Sequence, residues 1–130
     1  MEEKIKLTDL ISVDTLQKIQ DAFCDICNIA IGISDAEGVA ITKDTMPSDF
    51  CLNYNKKSPI GRTRCEQCDK RGGEMALEKG RTVIYNCHSG LVDFAAPIIA
   101  HGVMVGSITG GQVRTGELDE ERLLKIAEEI

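Results

Sequence analysis

Apolar side chains at Leu16, Ile19, Phe23 and Ile26 recur at helical spacing, and Asp14 with Gln17 three residues on resembles a capping box. An amphipathic helix is expected from Asp14 to about Asn28. The period then shortens: Ile29 to Ser34 reads as a strand, Asp35-Ala36-Glu37-Gly38 as a turn, and Val39 to Thr42 as the returning strand of a hairpin. From Thr45 to Gly80 the pattern dissolves into a polar, charged insert punctuated by Pro47, Pro59, Gly61, Gly72 and Gly73. Ser48 and Ser58 can each cap a short helix there. Pro59 suits a first helical position, and Gly80 can close a helix that runs through Met75 and Leu77.

Three β segments follow, Thr82 to Asn86, Val92 to Ala100 and Val103 to Val113, with a tight turn at Ala100-His101-Gly102. Gly106, Gly110 and Gly111 announce a bulge or a close backbone approach within the last of them. A final helix is expected after Asp119 as cap, with Leu123, Leu124, Ile126, Ala127 and Ile130 mostly along one stripe. It reaches the last residue without a stop signal, as expected of a piece excised from a longer protein. The order predicts a single α+β domain over 1–130: a five-stranded antiparallel sheet with helices on one side and a Cys-rich helical insert.

Composition narrows the partners. The net charge of −6 repels a phosphate backbone, and the local basic cluster from Lys56 through Arg64 to Arg71 reads as a solvated surface, so no direct nucleic-acid contact is expected of this segment. Nothing approaches the ~20 apolar residues of a membrane helix. The opening MEEKIKLTDL has no apolar run that could serve as a signal peptide, which points to the cytoplasm and to reduced thiols.

Against that background the six cysteines carry the chemistry. Cys65 and Cys68 form a C-x-x-C unit that can present two sulfurs to one ion from a turn or the first turn of a helix. Cys51 and Cys87 could complete a four-thiolate shell tying distant segments together. Zinc would be saturated by such a shell and purely structural, whereas an iron-sulfur cluster would use the same ligands and turn the domain into a redox or gas sensor. Disulfides and plain buried thiols are the competing readings. Cys24 and Cys27 are a second C-x-x-C, but inside the amphipathic helix beside Phe23 and Ile26, where burial in the core is expected.

The run Tyr85-Asn86-Cys87-His88-Ser89-Gly90-Leu91-Val92-Asp93-Phe94-Ala95-Ala96-Pro97-Ile98 resembles the PocR family of sensory domains. So do Gly110-Gly111-Gln112, Phe50-Cys51 and the Gly61-Arg62-Thr63-Arg64-Cys65 element. The similarity extends from about Leu10 to about Val113. It implies a PAS-like ligand-binding fold at the input end of a regulator, histidine kinase or chemotaxis-type receptor, responsive to small hydrocarbon derivatives such as propanediols. Cysteines at the positions of Cys51, Cys65 and Cys87 are the usual ones in that pattern, while that of Cys68 varies, so Cys68 or His88 stands as the fourth candidate ligand.

A small-molecule pocket between sheet and helices would be lined by Tyr85, His88, Asp93, Phe94, Ser107, Thr109 and Gln112. The expected partners are a small organic ligand, an effector domain in the same chain and a second copy. No enzyme is expected, since Cys87-His88 lacks the following Glu of a zinc deaminase, Arg64 stands where its Pro would be, and no P-loop or H-E-x-x-H occurs.

Overall fold

The computed structural model describes residues 5–113 and 120–129. A short helix α1 (Leu7–Leu10) leads into α2 (Val13–Cys27), and Ser12 caps α2 by accepting the Thr15 amide at 3.2 Å. The cap thus lies two residues before the expected Asp14. Asn28 ends the helix in the left-handed conformation, φ 57°. Strand β1 (Ala30–Asp35) follows, and its turn is held by Asp35 Oδ1, which accepts the amides of Glu37 and Val39 at 2.9 and 3.0 Å.

After the turn the expected second strand does not form. The segment makes only isolated bridges, Ser34 with Ala40 and Ile31 with Thr45. Side chains reinforce the few backbone bonds that join it to β1: Ile33 donates its amide to Thr42 Oγ1, and the buried Gln20 amide group donates to Lys43 O and Thr45 Oγ1, both at 2.8 Å. The sheet therefore has four strands in the order β1-β4-β3-β2, all antiparallel, rather than five. Strands β2 (Val83–Asn86), β3 (Val92–Ala100) and β4 (Val103–Val113) stand where the period-two pattern puts them. His101 and Gly102 turn with φ of 52° and 77°.

The insert differs more. It is not irregular: a π-helical turn (Phe50–Asn55) is followed by one long helix α3 (Pro59–Lys79) that runs through every glycine expected to interrupt it. Ser58, Pro59 and Gly80 act as expected at its ends. Gly72 and Gly73 bring α3 close to the sheet, since a Cβ on Gly72 would sit 2.6 Å from the Tyr85 ring and one on Gly73 3.2 Å from Ser107. The C-x-x-C consequently lies within α3, past its first turn.

Helices also cover both faces of the sheet, not one. Ala95 of β3 packs on Ala76 of α3, while its neighbours Phe94 and Ala96 face the opposite side, towards Ile19 and Phe23 of α2. Helix α4 (Glu120–Glu129) buries Ile126. The expected cap Asp119 and the stripe residue Ile130 lie outside the described residues.

Candidate functional site

The π-helical turn, α3, the loop after β2 and the bulged ends of β3 and β4 meet around one cavity of about 50 Å³. All four expected metal ligands line it, Cys51 from the turn, Cys65 and Cys68 from α3, and Cys87 from the loop. Among the expected pocket residues, Asp93, Thr109 and Gln112 line it too.

Four do not. Phe94 points to the far face, because adjacent strand residues alternate and Asp93 takes the cavity side. Tyr85 lies behind the wall with its hydroxyl 3.5 Å from Asp69 Oδ1. Ser107 is buried beneath Gly73. His88 stands outside the lining with Nε2 3.9 Å from Cys65 Sγ and Nδ1 buried without a partner among the described residues.

The lining that the sequence left unmarked is polar: Asp44, Asn55, Lys56, Asp69 and Ser89. Lys56, expected to be solvated, is half-buried and paired with Asp44. Asp44 can lie there because Gly32 beneath it has no side chain; a Cβ would come within 2.4 Å of Asp44 Oδ1. Asp69, next to Cys68, is the wall residue that adjacency to the motif could have flagged.

Burial dominates the electrostatics. It pushes the Asp69 carboxyl up to about 7 and the Cys65 thiol up to about 12, against the opposing pull of Lys56 in both cases. Burial likewise raises Cys51, Cys68, Cys87 and Asp93 above their ordinary ranges. Although burial opposes it, the Asp44 carboxylate holds Lys56 above the usual lysine range. Burial thus favours the protonated thiols, and the one cation of the lining, Lys56, is paired with the Asp44 carboxylate.

Its polar groups are positioned by neighbours. Asn55, 1% exposed, donates to Cys65 Sγ at 2.7 Å, and its Oδ1 has no partner among the described residues. Such a buried acceptor costs about 1–3 kcal/mol unless something bonds to it. Asp93 accepts the Gln112 amide at 2.9 Å, and Gln112 Oε1 accepts that of Ser48 at 2.7 Å, so the bulge of β4 is tied to the insert. The loop supplies amides to sulfur: His88 N–H to Cys68, and those of Ser89 and Leu91 to Cys87.

The donor set suits a thiophilic ion, but the geometry does not yet form a shell. Among the described residues no three His, Cys, Asp or Glu side chains are placed to hold one metal ion. The second C-x-x-C is split, Cys24 buried and Cys27 exposed, so the expected shared burial of that pair does not occur.

Helix α4 leans on the same walls. Glu129 pairs at 2.8 Å with Arg64, the residue before Cys65, and Arg122 lies against Gly90 of the Cys87 loop. No helix among the described residues is long and apolar enough to cross a membrane.

Comparison with known proteins gives a consistent result. The family model described as the sensory domain found in PocR matches residues 9–130. The regulatory protein PocR of Salmonella typhimurium is 32% identical over 101 residues, which are 78% of this chain and 33% of that protein. The chain thus spans about a third of the length of this curated relative.

Proposed function

Because the chain belongs to the family of sensory domains found in PocR, we propose that it is the ligand-binding input domain of a longer regulatory protein and that a small polar organic molecule occupies the cavity between α3 and the sheet. The observation that carries this is the convergence on that one cavity of hydrogen-bonding groups far apart in sequence, from Asp44 to Asp93: thiols, three carboxyls, Lys56 and Asn55 Oδ1, which has no partner among the described residues.

Size supports a ligand of a few atoms. About 50 Å³ is room for roughly three to five water-sized groups at the ~10–15 Å³ that each needs, the scale of a three-carbon diol. Chemistry supports hydroxyl groups. A hydroxyl can donate to Asn55 Oδ1 or an ionised Asp93 and accept from Lys56 or a protonated Asp69. Those groups are held by Asp44, Gln112 and the packing of α3, so little ordering accompanies binding. Output runs through α4, which touches the cavity walls at Arg64 and at Gly90 and would be shifted as they tighten around a ligand.

A second reading keeps Cys51, Cys65, Cys68 and Cys87 as ligands of structural zinc or of an iron-sulfur cluster. The amides of His88, Ser89 and Leu91 aimed at Cys68 and Cys87 favour it, since such donors support metal-bound thiolates. It requires the walls to draw in and the thiols to lose their protons.

Thermal melting with short diols, measured beside metal analysis, separates the two. The ligand reading expects 1,2-propanediol or a close relative to raise the melting temperature through mass action, and Asp93→Ala to abolish the shift. A domain that ignores such molecules, carries about one zinc per chain and unfolds when the zinc is chelated would establish the structural metal site instead.

A further inference from the structure

The hydrophobic stripe that the sequence assigns to the core of α2 is mostly outside it. Leu16 is buried, but the helix turns Gln20 and Cys24 inward with it and leaves Phe23 59% and Ile26 82% exposed. Beside them, between α2 and the sheet, runs a groove of about 260 Å³ whose surface is entirely apolar, lined by Ile19, Phe23, Ile33, Phe94, Ala96 and Ile108. The sheet continues apolar beyond it: Ile84 of β2, paired with Phe94, is 77% exposed on this same face, since Val83 and Tyr85 on either side pack towards α3.

Charge is arranged to match. The four charged residues of α2 are Asp14, Lys18, Asp21 and Asp25. At 100° per residue they fall on the flank opposite Ile19, Ala22, Phe23 and Ile26, so the exposed stripe carries none. In a chain of net charge −6, two copies repel each other least when an uncharged surface forms the contact, because no like charges are then brought close together. The patch is also complementary to itself, with knobs at Phe23 and Ile26 and a carbon-lined hole next to them. That combination is what an isologous two-fold contact needs.

We propose that this face is a homodimer interface, in which the Phe23 and Ile26 side chains of α2 from one copy enter the groove between α2 and the sheet of the other. It joins two domains through the face opposite the polar cavity, and leaves that cavity and α4 free. The contact does not depend on what the cavity holds.

The test is sedimentation equilibrium of the chain at micromolar concentrations, with the thiol reactivity of Cys27, exposed at the rim of the groove, as a local probe. The expected result is the mass of two chains, with Cys27 labelling more slowly as the dimer fills. Phe23→Glu and, separately, Ile26→Glu should give the mass of one chain with unchanged far-ultraviolet circular dichroism and fast labelling. Val103→Glu, equally exposed but outside the patch, should remain dimeric. If Phe23→Glu fails to fold, Ile26→Glu decides, because its side chain is the more exposed. A wild-type chain of single mass throughout that range overturns the proposal and assigns the face to another partner. A folded Ile26→Glu chain that remains dimeric overturns it as well.

Discussion

The two faces of the one sheet are built on opposite plans. On the α3 side, glycines let a helix approach the strands closely and polar side chains turn inward around a small cavity with few exits for their hydrogen bonds. On the α2 side the walls are hydrocarbon, the helix stands off, and large side chains face solvent. On the first face the polar groups are already placed by their neighbours, and Asn55 Oδ1 has no partner among the described residues, the arrangement that the proposed small polar ligand would need. The second leaves Phe23, Ile26 and Ile84 exposed beside an apolar groove, the kind of surface at which interaction sites are built. On the two proposals made above, the division would let ligand capture and association be altered independently.

That contrast can be broken most forcefully by crowding the close-packed face. Gly72→Leu places a side chain where the Tyr85 ring lies within 2.6 Å of a Cβ, and it should cost about 3 kcal/mol or prevent folding, as overpacking does. On the other face Ile84→Ser, at an exposed position, should change the stability of the single chain by less than about 0.5 kcal/mol. Urea denaturation of both variants checks the pair, and equal losses would refute the idea that only one face is tightly built.

A smaller effect probes Gln20, the buried member of the polar anchors that Gln17, Gln20 and Asp21 of α2 make to the segment at 42–45. Gln20 is 2% exposed and serves Lys43 O, Thr42 and Thr45. Gln20→Leu should cost about 1–2 kcal/mol, chiefly by stranding the hydroxyl donor of buried Thr42, since Lys43 O keeps Gln17 and Thr45 Oγ1 keeps Asp21. The loss should appear in denaturation midpoints while the response to short diols survives. If diol binding disappears as well, the two faces are not independent.

These positions also say how much was legible beforehand. Strands β3 and β4 were readable to the residue, because both are rich in β-branched and apolar side chains and the turn at Ala100-His101-Gly102 marks where one ends and the other begins. Helix α3 was not, since Gly61, Gly72 and Gly73 read as breakers and act as contact points. The four cysteines that spacing and resemblance single out all line the one cavity, yet Lys56, Asp44 and Asn55 look like surface residues until the fold turns them inward. Asp93 and Phe94 could not both have lined the pocket. Strand alternation alone excludes it, and Asp93 is the one that does.

The smallest expected effect concerns output. Arg64→Ala removes an exposed ion pair with Glu129 and should shift stability by no more than about 0.5 kcal/mol. It should nevertheless raise amide hydrogen exchange within 120–129 while leaving α2 unchanged. Unaltered exchange in α4 would mean that the helix is not held by the cavity wall.

The most direct test of the account is a titration of the isotope-labelled chain with 1,2-propanediol, followed by amide NMR. The account predicts saturable shifts at Cys51, Asn55, Cys65 to Asp69, Cys87 to Ser89, Asp93 and Thr109 to Gln112, with Ile19, Phe23 and Ile26 unmoved. Shifts confined to those α2 residues and to Phe94 and Ile108, or none at millimolar diol with every close relative tried, would contradict it.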